Sequence, residues 1–179
     1  MNRFVNFNYI PNYDLHVWLF LYIGFLNIIM LLLGERLEAL GYRGWAFFFV
    51  NILFFVFPEQ HLPSRMVKLA VGAATGCLLS YLSIILYVGP LSCLQIWGLI
   101  IPIVCSVAAI ILLGPFVPLC FNVSTFTYFT ASLINAEDAI LNLVPLVFWA
   151  VSGVVICNGG FCLVIWAYKR HRQKCADQK

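Results

Sequence analysis

The sequence predicts an all-α fold, a polytopic transmembrane helix bundle of about six spans. Of its 179 residues, 63% are hydrophobic and only 9% are charged, against roughly 25% charged in a typical globular protein. Because so few charges cannot cover the surface of a water-soluble domain, we expect the apolar surplus to face lipid. Apolar runs with short polar or Gly-Pro interruptions are the second observation. They divide the chain into a cytoplasmic N-terminal segment (1–14), a transmembrane bundle (15–168) and a basic cytoplasmic tail (169–179).

The first half of the chain contains three apolar runs. Leu15–Leu33 is about the twenty residues that cross a bilayer. The second run, Trp45–Phe57, has thirteen residues and as a helix reaches roughly 20 Å, short of a hydrocarbon core of ~30 Å. Pro58 ends it, because proline lacks an N–H and clashes with the preceding turn. The third run, Leu69–Tyr87, follows a polar segment that we expect to be a loop.

The second half repeats this order of lengths. Leu94–Leu113 is long, Pro118–Ile134 is short and unusually polar, and Ala139–Tyr168 is long again. As a helix the last run would measure about 45 Å, so it is expected to tilt, bend or project from the bilayer. The segment Asn158-Gly159-Gly160 is the predicted place for a bend.

The short runs are the middle members of two three-run halves. Each has a proline at one end, Pro58 or Pro118. Paired short or interrupted helices in matching positions are typical of inverted-repeat transporters and indicate where their binding site lies. The sequence therefore predicts a 3+3 inverted repeat with short or broken second and fifth helices.

Basic residues near the ends of the runs predict the orientation. Five of the ten basic residues lie in the last eleven positions and hold the C-terminus in the cytoplasm. Six crossings then put Arg3 and the Arg65/Lys68 segment inside and the acidic Glu137/Asp138 loop outside. Anionic lipid headgroups are the expected partner of the tail, and nucleic acid is not.

A hydroxyl-rich face on the fifth run is the candidate functional feature. Its polar arc suits the lining of a path for a small polar solute, because each hydroxyl can replace a hydrogen bond of water. Asn51 in the second run is expected to lie opposite. The alternative is that these hydroxyls bond back to helix carbonyls and only pack. The lining residues are Ser124, Thr125, Thr127, Tyr128 and Ser132.

A stripe of small residues marks a helix-packing face on the third run. Gly72, Gly76 and Ser80 recur every four residues, so they lie on one side of a helix and let another helix approach closely. The stripe predicts either a contact within the bundle, which we favour, or a homo-oligomer interface.

The residue pattern argues against an enzyme, a metal site or a cofactor. The three histidines, His16, His61 and His171, are far apart, and no phosphate-binding, hydrolase or metalloprotease motif occurs. The seven cysteines form no C-x-x-C pair. No ionisable residue is predicted in mid-membrane, which disfavours a proton-driven pump.

Three short stretches occur in a fixed order: Phe54-Phe55-Val56-Phe57-Pro58-Glu59-Gln60, then Leu69-Ala70-Val71-Gly72-Ala73-Ala74-Thr75, then Phe116-Val117-Pro118 followed by Thr125-Phe126. This order resembles the small uncharacterised bacterial inner-membrane family that includes YcdZ. The resemblance covers roughly residues 45 to 165. It implies a bacterial inner-membrane location and carries over no functional residues.

Two functions remain open at this point. The first is a passive channel or facilitator for a small polar or weakly acidic solute. The second is a non-transporting membrane scaffold or small subunit that acts through a protein partner.

Overall fold

The computed structural model describes residues 13–56 and 62–177, and within these ranges every regular element is helical, which confirms the all-α prediction. Arg3, Pro58 and His61 lie outside the described residues. One short 3-10 turn, Ser92–Leu94, joins α3 to α4. The α-helices are α1 (Tyr13–Glu38), α2 (Gly44–Val56), α3 (Leu62–Val88), α4 (Ile96–Leu113), α5 (Val123–Ile134), α6 (Ala136–Leu141) and α7 (Leu143–Asp177).

Four of these helices, α1, α3, α4 and α7, are long and apolar enough to cross a membrane. By contrast, α2 has 13 residues and α5 has 12. A short connection separates α5 from the six residues of α6. The chain therefore has the character of a membrane protein, with two helices too short for a crossing at the usual length.

A tight turn reverses the chain between α1 and α2. The N–H of Gly41 bonds the carbonyl of Glu38, and the N–H of Tyr42 bonds that of Leu37, which together form a Schellman motif. Gly41 adopts a φ of 71°, in the left-handed region that glycine adopts without strain. A Cβ at Gly41 would also collide with Pro145, so the turn lies against the start of α7.

Helix α1 runs antiparallel to α7. The Tyr22 hydroxyl donates to the Ile156 carbonyl (3.0 Å), whereas Leu40 at the other end of α1 accepts from the Trp149 indole N–H (3.1 Å). The start of α1 and the basic end of α7 therefore lie together. We call the end with Tyr13 and Lys169 the terminal end, and the opposite end with Gly41 the turn end.

Helix α2 runs parallel to α7, from the turn end towards the terminal end. The Tyr42 ring, just before α2, contacts the Trp149 ring edge-on with centroids 5.1 Å apart. Further along both helices, a Cβ on Gly153 would collide with the backbone of Phe47. The α2–α7 contact is thus a close approach of two backbones at a glycine.

Helix α3 starts at the terminal end. Tyr128 of α5 contacts both Gly76 of α3 and the Ala46 carbonyl of α2. If α3 ran the other way, Leu62 would lie about 35 Å from Val56 along the bundle. Six residues of chain span only about 20 Å, so α3 must run antiparallel to α2 and α7.

The second half of the bundle follows from contacts with α3. Helix α4 returns antiparallel to it, with the Ser83 and Ser106 hydroxyls 3.2 Å apart. Helix α5 runs parallel to α3, because the Lys68 carbonyl meets Asn122 at one end and the Cys77 thiol meets Ser132 further along.

Three predicted boundaries are wrong. Helix α3 begins seven residues early, at Leu62, because Pro63 in the first turn needs no N–H partner; Arg65 and Lys68 are therefore helical. Residues Pro118–Phe121 precede α5 without being part of it. Finally, the predicted run Ala139–Tyr168 is divided at Asn142: α7 begins at Leu143, and Glu137 and Asp138, predicted in a loop, are part of α6.

Candidate functional site

Helix α5 is positioned by the side chain of Asn122, its N-cap. The Asn122 Oδ1 accepts from the N–H groups of Ser124 (2.9 Å) and Thr125 (3.3 Å). The Thr125 hydroxyl in turn accepts from the N–H of Asn122 (3.3 Å), which completes a capping box. Two of the N–H groups that a helix start leaves without intrahelical partners are thereby bonded. The helix therefore begins at this residue and not at Pro118.

The same residue fastens α5 to α3. The Asn122 Nδ2 donates to the Lys68 carbonyl on α3 (3.1 Å) and to the Pro118 and Leu119 carbonyls of the preceding loop. Ser124 adds a second bond, from its hydroxyl to the Leu69 carbonyl (2.9 Å). Two hydrogen bonds thus fix where α5 lies along α3.

The small residues of α3 permit this close approach. A Cβ on Gly72 would collide with the side chain of Asn122, and a Cβ on Gly76 would collide with the backbone of α5 at Thr125 and Phe129. The structure therefore places both glycines inside the bundle against α5. Ser80 is fully buried, and its hydroxyl has no hydrogen-bond partner within the described ranges.

Tyr128 joins the two short helices. Its side chain is fully buried, and its hydroxyl donates to the Ala46 carbonyl of α2 (2.7 Å). Its ring meets Phe49 edge-on, with centroids 6.2 Å apart. One turn further along α5, the Ser132 hydroxyl donates to the Cys77 thiol of α3 (3.6 Å). The Tyr128–Ala46 bond is the polar link between α5 and α2 among the described residues.

The predicted lining residues fall into two groups. Ser124, Thr125, Tyr128 and Ser132 are buried together between α5 and its neighbours. Thr127 is half-buried and donates back to the Val123 carbonyl (2.9 Å). Each of these hydroxyls has a protein partner in this conformation, and the lining role stays a prediction. The side chain of Asn51 lies outside the described residues.

The packing contains a matched pair of contacts that sequence reasoning missed. On α7, Gly153 approaches α2, and seven residues later Gly160 contacts Tyr22 of α1. On α3, Gly76 approaches α5, and seven residues later Ser83 contacts Ser106 of α4. Helices α3 and α7, the last of each set of three long or short runs, therefore have the same spacing of small residues, about two turns. With these residues α7 contacts α2 and α1, and α3 contacts α5 and α4. The equal spacing can be read from the sequence, but the helices that these small residues contact can be identified only from the structure.

A cavity of about 330 Å³ opens at the end of α5, lined by Ile134, Asn135, Ala136 and Glu137. It begins at Ile134, two residues beyond Ser132, at the turn end of the bundle. Within residues 13–56 and 62–177, no three His, Cys, Asp or Glu side chains come together as metal ligands.

Comparisons of the chain with protein-family models, with curated proteins and with solved structures found no match. The resemblance to the family that includes YcdZ accordingly stays a prediction from the residues.

Proposed function

We propose that this chain is a passive facilitator for a small polar or weakly acidic solute, built as two inverted three-helix halves. The observation that carries the proposal is the meeting of the two short helices at Tyr128. Each short helix lies on a glycine of the third helix of the other half, Gly76 or Gly153. Inverted-repeat transporters have their site at such an interface of short middle helices.

Six crossings follow if α2 and the α5–α6 pair each complete a passage. The contact directions support this: α2 runs from the turn end to the terminal end, and α5 runs back alongside α3. Exposed aromatic residues at both ends of the bundle support a membrane surface at each end, because Trp and Tyr are enriched at membrane–water interfaces. They are Trp18 and Trp166 at the terminal end and Tyr87 and Trp97 at the turn end. The Arg170 guanidinium lies 5.3 Å from the Trp166 ring. At that membrane surface a cation can contact the lipid headgroups.

The basic tail assigns the terminal end to the cytoplasm, which gives an N-in, C-in orientation. The resemblance noted above adds the bacterial inner membrane as the location. The cavity at Asn135 and Glu137 would then face the exterior and lead towards Ser132.

In this proposal the structure is a closed state. The Tyr128–Ala46 bond holds α2 against α5. The hydroxyls of Ser124 and Ser132 donate to the Leu69 carbonyl and the Cys77 thiol of α3. Separation of α2 from α5 would free the Tyr128 hydroxyl on this face of α5, where a solute replaces the Ala46 carbonyl as hydrogen-bond partner. The face is uncharged, so passage needs no bound proton or ion.

Solute flux into proteoliposomes tests the proposal directly. The probes are glycerol, urea, formate and acetate, compared for wild type, Ser124→Ala, Thr125→Val and Tyr128→Phe. Thr130→Val is the matched control, because Thr130 is exposed on the same helix and bonds its own Phe126 carbonyl. We expect flux of at least one probe above empty liposomes and a change of about threefold or more in Tyr128→Phe, the factor given by about 0.6 kcal/mol. Flux equal to that of empty liposomes for every probe would contradict the proposal.

The hydrogen bonds of the α5 hydroxyls favour a second candidate, a scaffold or small subunit acting through a protein partner. Because α5 already covers Gly72 and Gly76, a partner or second copy would have to bind elsewhere, on an outward face such as that of Phe20 and Leu32 on α1, which are 73% and 74% exposed. A stable partner lost in Phe20→Ala/Leu32→Ala, with no flux for any probe, would favour this candidate.

A further inference from the structure

An open groove of about 580 Å³ lies between α1 and α2 on the outside of the bundle. Its walls include Ile28 and Leu31 of α1 and Phe48 of α2, and Gly34 lies between them. Tyr42 and Glu38 close it at the turn end. The volume falls in the range of roughly 300–1,000 Å³ that is usual for ligand sites, which are mostly apolar with a few placed polar groups.

The walls of the groove belong to the lipid-facing side of the protein. Ile28 is 59% exposed and Leu31 is 79% exposed, and both lie within the apolar span Val17–Gly34. Asn27, the polar residue of the wall, donates its Nδ2 to the Ile23 carbonyl of its own helix. The surroundings at this depth are hydrocarbon, so the occupant must present an apolar surface to the walls.

Two apolar occupants differ in how they meet the groove. A partner helix is about 10 Å across with its side chains, so it would lie over the open side and insert the side chains of one face only. A single acyl chain is narrower and can follow the groove along the bilayer normal, in contact with both walls.

The charged end of the groove specifies the headgroup. Glu38 lies four residues beyond the apolar span, about 6 Å further along the helix, at the depth of the lipid headgroups. Its carboxylate is an acceptor for an ammonium N–H and repels a bare phosphate. Ethanolamine offers the N–H donors that choline lacks.

We propose that the α1–α2 groove binds one acyl chain of phosphatidylethanolamine, with the headgroup ammonium donating to Glu38. The lipid site does not rest on the proposed function, because the groove lies outside the α2–α5 interface. The bound lipid fills the space that α1 and α2 leave open beside their turn.

Retained lipid on the full chain tests the site. The chain is reconstituted into nanodiscs of phosphatidylcholine and phosphatidylethanolamine in equal amounts, released in mild detergent, and weighed by native mass spectrometry. Gly34→Leu should fill the groove, since a Cβ there meets nothing nearer than Tyr42 at 3.9 Å. Gly24→Leu is the control on the same helix, because a Cβ there meets nothing within 4 Å.

We expect one phosphatidylethanolamine per wild-type chain, about tenfold less on Gly34→Leu, and no change on Gly24→Leu. Glu38→Gln should remove the preference for ethanolamine over choline while leaving a lipid bound. Leu31→Trp fills the groove by a second route and should match Gly34→Leu. Equal lipid on wild type and both filled variants would overturn the proposal. A wild-type dimer that Gly34→Leu separates would also overturn it, in favour of a second copy of the chain.

Discussion

The two short helices each pack on a glycine of a long helix but are held by different chemistry. Helix α5 meets α3 through directional bonds, from Asn122 to the Lys68 carbonyl and from Ser124 to the Leu69 carbonyl. Helix α2 meets α7 through the close approach at Gly153 and aromatic packing, with no side-chain hydrogen bond from its described residues to α7. Lipid provides no hydrophobic force between helices, so packing and hydrogen bonds must fix each position.

This difference indicates which short helix would move. A shape-based contact can shift by a fraction of a turn and repack, whereas α5 would have to break its bonds to α3 carbonyls. Within the proposed function, we expect α2 to separate from α5 while α5 stays on α3. The Tyr128–Ala46 bond is then the polar interaction that opening must break.

The largest effect is expected at the two glycines that permit these contacts. In Gly76→Leu and Gly153→Leu the new side chain meets backbone of the neighbouring helix, which cannot move aside as a side-chain end can. Each should lower the unfolding free energy by about 3 kcal/mol, measured by SDS titration in mixed micelles. Gly24→Leu should stay within about 0.5 kcal/mol of wild type. A Gly153 variant as stable as the Gly24 control would show that α2 does not pack on α7 this way.

A smaller effect is expected at the cap of α5. Asn122→Ala removes both the cap and the bond to the Lys68 carbonyl, and should cost about 2 kcal/mol. Asn122→Ser retains a good cap but is too short for the α3 carbonyl, so it should recover about half of that loss. The same micelle titration measures both. Equal loss in the two variants would assign the whole effect to the contact with α3, and no loss in either would contradict the directional account of α5.

The bond between the two short helices should matter less for stability than for opening. Tyr128→Phe keeps the buried ring and removes only the hydroxyl that donates to Ala46. We expect a loss of about 1 kcal/mol in unfolding free energy and faster hydrogen exchange of α2 amides than of α5 amides. Exchange that rises equally in both helices would remove the distinction between them.

The smallest effect is expected on the outward hydroxyls of α5. Thr127 and Thr130 donate to carbonyls of their own helix, at 2.9 Å each. Thr127→Val and Thr130→Val retain the shape and leave each carbonyl its backbone partner, so each should change the unfolding free energy by less than about 0.5 kcal/mol. A larger loss on thermal denaturation would reveal a further partner for these hydroxyls.

Much of the fold follows from local pattern. Charge depletion predicts a helical membrane protein, and run lengths predict that the second and fifth helices are short. Gly72 and Gly76 were recognised as a packing face, although their partner, α5, depends on long-range pairing that no local spacing encodes. The predicted start of α5 at Pro118 is wrong, because the apolar run begins four residues before the helix cap, Asn122. Its spacing to Thr125 is the signature of a capping box and could have located the boundary.

The proposed inverted halves and the proposed path both require that α5 and α6 complete a crossing. Single cysteines at Val117→Cys and Glu137→Cys, in a chain whose seven native cysteines are replaced by alanine, can be treated with a membrane-impermeant maleimide in spheroplasts. Val117 precedes α5 and Glu137 follows it, and both are exposed. We expect labelling of Glu137→Cys from outside and of Val117→Cys only after lysis. Labelling of both positions from the same side would contradict the proposed crossing.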